Sequence, residues 1–143
     1  DNVNYVGPGK VPILNNSPVV VLKDGRLAFV FGSPGGETIG HTEFQMLVNL
    51  IDFELPVQQA IEAPRFSLDP DPNFYKPGAA ISVSIESRVL PATLAALRSM
   101  GHKLEVQPGW GGIGHMQAIR IDQKTGAMMA GADPRRTGYA MGY

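Results

Sequence analysis

Short apolar runs separated by turn residues dominate the chain and predict β-strands. Residues 18–23 are rich in β-branched side chains, and a second run over residues 27–32 follows Asp24-Gly25, a dipeptide typical of two-residue hairpins. Neither run alternates cleanly between apolar and polar side chains, which predicts that both faces of the hairpin are covered. Residues 80–86 do alternate and predict a half-buried strand. The remaining strands are predicted over residues 103–106, 116–122 and 127–131.

Three segments carry the apolar spacing or the proline placement of helices. Apolar side chains recur at helical spacing over residues 38–53, which predicts a long helix. Residues 56–62 predict a short helix with proline at its first position. Residues 88–100 predict an amphipathic helix that Gly101 closes as a C-terminal cap. The proline-rich segment 68–73 predicts a loop.

The order of these elements predicts the fold class. Helices interrupt strand hairpins, which is typical of α+β folds with a mainly antiparallel sheet. A length of 143 residues suffices for one domain with its own core. No linker or repeat divides the sequence, so we expect a single domain over residues 1–143, with residues 1–16 as an irregular lead-in.

Composition narrows the function only by exclusion. A net charge of −1 gives no reason to expect nucleic acid as a partner. No apolar run is long enough to predict a membrane span, and no signal peptide is visible, so the compartment stays open. The sequence has no cysteine, which excludes thiol chemistry, and its three histidines lack metal-site spacing. We therefore expect no metal and no cofactor.

The stretch over residues 31–38 (Phe-Gly-Ser-Pro-Gly-Gly-Glu-Thr) carries the strongest chemical signal. It joins a predicted buried strand to the long helix, so it presents backbone N–H groups at the positive end of a helix dipole. Such a turn suits an anion, or an oxyanion that develops during a reaction. Gly35 and Gly36 would let a substrate approach the backbone closely. The alternative is a plain tight turn, because glycines punctuate most turns.

The motifs around this loop resemble the small subunit of gamma-glutamyltranspeptidases. They occur in the family's order and extend over essentially the whole chain. The matching segments are residues 6–10 (Val-Gly-Pro-x-Lys), 17–25 (Ser-Pro-Val-Val-Val-x-Lys-Asp-Gly), 32–36 (Gly-Ser-Pro-Gly-Gly), 49–53 (Asn-x-Ile-Asp-Phe), 62–66 (Glu-Ala-Pro-Arg-Phe), 117–119 (Gln-Ala-Ile), 132–135 (Ala-Asp-Pro-Arg) and 142–143 (Gly-Tyr).

The resemblance implies part of a four-layer αββα sandwich, the N-terminal-nucleophile hydrolase fold. Precursors of this family cut themselves into two subunits, and the new N-terminal threonine of the small subunit becomes the nucleophile. It forms an acyl-enzyme that is passed to water or to an amino acid. Asp1 is not such a threonine, so we expect the nucleophile several tens of residues before this segment. The segment is thus expected to be the C-terminal part of a small subunit.

The same resemblance implies the partners and the compartment. The partners are the large subunit and the remaining part of the small subunit of the same precursor. The substrate is a small-molecule γ-glutamyl or other acyl amide, which connects the family to glutathione metabolism. Members of the family are often periplasmic or secreted. The competing interpretation is a non-catalytic structural or binding domain derived from the same fold, since the nucleophile is not in this chain.

Two pairs of residues fall on the family's site positions. Gly35 and Gly36 match the glycine pair whose N–H groups form the oxyanion hole. Leu14 and Asn15 replace a Ser-Ser pair that binds the substrate's α-carboxylate. Leu14 has no side-chain donor, whereas the Asn15 amide can donate, and an ordinary turn at this point is the alternative. The departure predicts weak activity on γ-glutamyl amides and better activity on acyl groups without that carboxylate, as in related acylases.

Other residues that could carry chemistry are better explained by structural roles. Arg65 and Arg135 each follow a proline, and we expect each to pair with a carboxylate such as Asp133 or Glu62.

Two histidines and the tryptophan complete the set of candidates. His41 falls within the long helix, where a place on the polar face or a packing role is expected rather than catalysis. His115 follows the glycine-rich segment 108–114 and could face the site, and Trp110 within that segment could be a lid or an interface anchor.

Overall fold

The computed structural model describes residues 5–11, 16–71 and 76–142. Within these ranges the fold is α+β, as predicted, and the predicted strands and helices occur in the expected order with one additional strand, β3. The elements are β1 (Val19–Lys23), β2 (Arg26–Gly32), α1 (Thr38–Ile51), α2 (Val57–Glu62), β3 (Phe66–Asp71), β4 (Ala80–Glu86), α3 (Pro91–Ser99), β5 (Leu104–Gln107), β6 (Gln117–Ile121) and β7 (Met128–Ala132).

The strands form two sheets. The larger is antiparallel with the order β1-β2-β6-β7. The smaller has the order β3-β4-β5, in which β4 and β5 run parallel because α3 connects them as a crossover. The β1–β2 hairpin turns at Asp24 (φ 51°) and Gly25 (φ 75°), and two such positive φ angles are what a type I′ turn needs. The hairpin and the mainly antiparallel pairing are therefore confirmed.

The core lies between one face of the larger sheet and helices α1 and α2. Phe31 of β2 and Ala118 of β6 point into it from the sheet, and Ile61 of α2 is fully buried. Burying one such large side chain contributes about 2 kcal/mol. The buried apolar residues of this core are Phe31, Met46, Leu50, Val57, Ala60, Ile61, Met116 and Ala118.

The opposite face of the larger sheet is open in the described part of the chain. Val20, Val30 and Ile119 pair in one row across three strands, and Val20 is 61% exposed. Leu22, further along β1, is 60% exposed. The prediction that both faces of the hairpin are covered is therefore wrong for these residues, because α1 and α2 pack against one face only.

Two element boundaries also differ from the sequence-based prediction. Residues 68–71 belong to strand β3, in which Pro70 pairs with Ile81 of β4, whereas a loop was expected there. Strand β3 lies at the edge of its sheet, so the missing N–H of Pro70 interrupts no second ladder. Helix α3 begins at Pro91 because proline suits the first helical position, and it contains no buried residue. Residues 72–73 lie outside the described ranges.

The remaining predictions about the chain's extent concern its lead-in and the membrane. Residues 5–11 and 16 contain neither helix nor strand, and the single domain over residues 1–143 with its lead-in stays a prediction. Of the helices described, none is long and apolar enough to cross a membrane.

Candidate active site

The glycine loop between β2 and α1 leaves two backbone N–H groups without an acceptor among the described residues. Gly35 (φ 148°) and Gly36 (φ 57°) both adopt angles that favour glycine. Their carbonyl groups accept hydrogen bonds from the first helical N–H groups, Thr38 N–H to Gly35 O at 3.1 Å and Ile39 N–H to Gly36 O at 3.2 Å. No described residue accepts a hydrogen bond from the Gly35 or Gly36 N–H. Both donors are thus available at the positive end of α1.

A cleft of about 570 Å³ borders this loop. One wall is the glycine loop itself with Ile39 of α1, and the other is the segment 16–18 that leads into β1. Leu14 and Asn15, the candidate substrate-binding residues, lie outside the described residues. Their chain neighbour Asn16 does line the cleft, so the polypeptide reaches the cleft directly after them.

Glu43, a buried acidic residue that the sequence analysis did not single out, contacts the wall of the cleft through Ser17. The Ser17 hydroxyl, which lines the cleft, donates a 2.8 Å hydrogen bond to Glu43 Oε2. Glu43 is only 5% exposed, and its Oε1 has no hydrogen-bond partner among the described residues. A charged residue one turn after Ile39, on the buried face of α1, was the available sequence signal. The wall at Ser17 therefore has acceptor character, whereas the glycine loop donates.

The glycine-rich segment 108–114 reaches the candidate site through its last residues. The His115 N–H donates to Ser33 Oγ at 2.9 Å, so its backbone contacts the glycine loop. Burial, and then the charge of Arg136, lowers the pKa of the His115 imidazole, which favours its neutral form. Trp110 instead forms a cation–π pair with Arg88, whose Cζ lies 3.7 Å from the centroid of the indole ring. The ring therefore covers a group of buried charges. His41 is half-buried in α1.

Those charges form a network between the two sheets. Arg65 pairs with Asp133 at 2.6 Å, as the sequence predicted. Arg135 pairs with Asp133 at 3.1 Å but makes its shorter ion pair, at 2.5 Å, with Glu86, which also pairs with Arg88. Glu86 was not expected as a partner. The alternative partner that the sequence suggested, Glu62, instead accepts a hydrogen bond from Gln58 through its carboxylate.

The network keeps the Asp133 carboxylate charged despite its burial. Burial alone would raise the pKa of Asp133, but the charge of Arg65 and the N–H groups of Arg135 and Met116 outweigh it and lower that pKa. Burial also lowers the pKa of Arg65, as does the neighbouring charge of Arg135. The described ranges contain no group of three acidic or histidine side chains that could hold a metal ion.

Comparison with known proteins identifies the family. A family model described as gamma-glutamyltranspeptidase matches residues 1–143. This chain belongs to the gamma-glutamyltranspeptidase family. It is 35% identical to a glutathione hydrolase proenzyme of Pseudomonas aeruginosa in an alignment of 143 positions that covers 98% of this chain and 24% of that protein. It is 33% identical to an oxamate amidohydrolase proenzyme of Klebsiella pneumoniae, over 96% of this chain and 25% of that protein.

A solved structure of the family agrees in fold. The gamma-glutamyltranspeptidase of Pseudomonas nitroreducens complexed with L-DON superposes with a TM-score of 0.76 at 32% identity, covering 99% of this chain and 69% of that chain. This likeness confirms the expected assignment to the N-terminal-nucleophile hydrolase fold. The chain spans about a quarter of the length of the curated relatives that it matches, with 24% for the first of them.

Proposed function

We propose that this chain supplies the oxyanion hole of a gamma-glutamyltranspeptidase-like amidohydrolase or acyltransferase. The observation that supports this most strongly is the pair of unused N–H groups at Gly35 and Gly36, which lie where β2 ends, α1 begins and a cleft opens. A tetrahedral intermediate carries a negative oxygen that needs such donors. One oxyanion donor typically contributes about 3 kcal/mol to transition-state stabilisation.

The rest of the reaction uses residues from outside this chain. An N-terminal threonine of the same small subunit attacks the acyl carbonyl, with its own amine as the base. The tetrahedral intermediate expels the amine and leaves a threonyl ester, while Gly35 and Gly36 donate to the oxyanion. Water or an amino acid then attacks the ester and repeats the sequence in reverse. This chain is inactive without that threonine.

The chain is proposed to work as the C-terminal part of a small subunit, with the large subunit and the remaining small subunit as partners. The exposed apolar row on the larger sheet supports this, since Val20 and Ile119 would lose solvent contact beneath a second layer. The fourfold difference in length from the curated relatives also leaves room for such a layer, with 24% of the first relative matched.

The proposed substrate is a small acyl amide, with less dependence on an α-carboxylate than in a transpeptidase that has the Ser-Ser pair. Leu14 removes one donor from the pair of positions. Ser17, in the wall of the cleft, already donates its hydroxyl proton to Glu43, so that hydroxyl is not free to donate to a substrate carboxylate. The relatives fit a family with varied acyl groups, since the two named above are a glutathione hydrolase and an oxamate amidohydrolase.

The first experiment tests the class of activity. The full-length precursor that contains this chain is expressed, and we expect two bands on a denaturing gel after self-cleavage. The processed protein is then assayed with p-nitroanilides of γ-glutamate, 4-aminobutyrate, glutarate and butyrate, which together separate the effects of the amino and carboxylate groups. We expect turnover of at least one anilide. A precursor that neither cleaves itself nor releases nitroaniline would favour the non-catalytic interpretation.

A second experiment tests the role of Leu14 and Asn15. In the combined variant Leu14→Ser and Asn15→Ser, the ratio of kcat/KM for the γ-glutamyl anilide to that for the 4-aminobutyryl anilide should rise by about tenfold, because a donor is restored at position 14 and a hydroxyl replaces the amide at position 15. Activity on the butyryl anilide should stay unchanged. Val11→Ser, an exposed change in the same segment, is the control. An unchanged ratio would remove these two positions from the carboxylate site.

A further inference from the structure

The glycine-rich segment 108–115 is here called the brace loop. Its last residues pack against the candidate oxyanion loop. Gly114 has a φ of 64° and lies so close to α1 that an added Cβ would stand 2.8 Å from Thr42 Cγ2 and closer still to Thr42 Oγ1. The same Cβ would be 3.0 Å from Ser33 Oγ. That Ser33 oxygen already accepts the His115 N–H. Only glycine fits at position 114.

The contact continues by hydrogen bonds to the peptide that joins Gly35 and Gly36. Thr42 Oγ1 donates to Thr38 O at 2.9 Å, and Thr38 Oγ1 donates to Gly35 O at 2.9 Å. The Gly35 carbonyl and the Gly36 N–H belong to one planar peptide group, so fixing the oxygen also fixes the direction of the N–H. Pressure on Thr42 would therefore turn the Gly36 donor.

The other side of the brace loop is fixed to the buried charge network. Arg65 Nη1 donates to Ile113 O at 3.0 Å, and the Met116 N–H donates to Asp133 Oδ2 at 2.8 Å. Arg88 Nε donates to Gly109 O. The brace loop thus lies between the buried ion-pair network, which links the two sheets, and the two glycines of the candidate site. The ion pairs fix the position of the brace-loop backbone, and the contacts of that backbone with Thr42 and Ser33 fix the oxyanion loop.

We propose that the brace loop sets the direction of the Gly36 N–H, with Gly114 and Ser33 as positioning residues for catalysis. The proposal rests on the proposed function of Gly35 and Gly36. Neither Gly114 nor Ser33 needs to touch the substrate, since Gly114 acts through Thr42, and Ser33 Oγ donates at 2.8 Å to Pro34 O, whose peptide group carries the Gly35 N–H. A displacement of well under an ångström at the loop is enough to weaken a short, directional hydrogen bond to the oxyanion.

The decisive comparison uses two glycines of the same loop in the full-length, processed protein. Gly114→Ala should lower kcat by about tenfold or more and leave KM within about twofold, because the oxyanion forms only in the transition state. Gly112→Ala is the matched control, because it has a similar φ of 79° but nothing within 4 Å of an added Cβ. Its kcat should stay within about twofold. Equal losses in the two variants would overturn the proposal.

Two further variants guard against a general loss of folding. Thr42→Ala removes the two atoms that lie nearest an added Cβ at position 114, so Gly114→Ala combined with Thr42→Ala should recover at least about threefold in kcat over Gly114→Ala alone. Ser33→Ala removes the acceptor of the His115 N–H and should lower kcat by about threefold or more with little change in melting temperature. The proposal would be contradicted if the double variant had no higher kcat than Gly114→Ala alone. It would also be contradicted if Ser33→Ala left kcat unchanged.

Amide hydrogen exchange separates a failure of the brace from a failure of the proposed function. The Thr38 and Ile39 amides donate to the carbonyl groups of the two site glycines, so their exchange reports on that loop without any substrate. Exchange should accelerate by about tenfold in Gly114→Ala and remain unchanged in Gly112→Ala. If exchange accelerates in Gly114→Ala but the protein has no amidase activity, the proposed contact is supported and the proposed enzymatic function is not. If exchange does not respond, the brace fails whatever the activity.

Discussion

Replacing Glu86 by glutamine should destabilise the protein by about 3–5 kcal/mol, because it leaves buried arginines without their counter-charge. Glu86 is 0% exposed and accepts from Arg135 Nε at 2.5 Å and from Arg88 Nη2 at 2.5 Å. Three arginines and two carboxylates share this network, so it already carries one excess positive charge. The glutamine amide would also direct N–H donors at guanidinium donors.

Differential scanning calorimetry of the full-length protein measures this effect. Because this chain spans only 24% of the length of the first curated relative, the unfolding unit is larger than 143 residues, and about 3–5 kcal/mol corresponds to a loss of a few degrees in melting temperature. Glu62→Gln is the matched control, since the Glu62 carboxylate is only half-buried and accepts from Gln58 rather than from an arginine. It should change stability by no more than about 0.5 kcal/mol. Similar melting temperatures for both variants would show that the network contributes little.

Local sequence signals were sufficient for the elements whose geometry is local. The Asp24-Gly25 turn predicts its hairpin because two positive φ angles are needed there. The glycine loop is likewise predictable, since an apolar strand, a pair of glycines and a helical apolar repeat follow one another within about twenty residues. The availability of the Gly35 and Gly36 N–H groups does not follow from helix geometry alone, because the unpaired donors of a helix belong to its first residues, and α1 begins at Thr38.

Long-range pairing was not predictable from the sequence. The motif at 62–66 suggested Glu62 as a partner for the arginines, yet Glu86 binds Arg135 because β4 of the other sheet ends beside it. Pro70 was assigned to a loop because its position at a sheet edge depends on strand order, which no local pattern contains. The contact of Gly114 with Thr42 likewise joins residues far apart in the chain.

Gly35→Ala should reduce kcat by about a hundredfold, the usual consequence of losing one oxyanion donor. An added Cβ would lie 2.6 Å from Thr38 Oγ1, so the threonine must turn away and give up its hydrogen bond to Gly35 O. The φ of 148° is also a conformation that alanine rarely adopts. The peptide between Gly35 and Gly36 would therefore rotate, and its N–H would leave the direction that the oxyanion requires.

Gly40→Ala in α1 is the matched control for this variant. Gly40 is exposed, has open space around an added Cβ, and lies in a helix, where alanine is more stable than glycine by about 1 kcal/mol. It should keep full activity and melt at the same temperature or higher. Steady-state kinetics of both processed variants on the best anilide distinguish the cases. A Gly35→Ala enzyme with unchanged kcat and a raised KM would show that this loop binds the substrate in the ground state instead of the oxyanion.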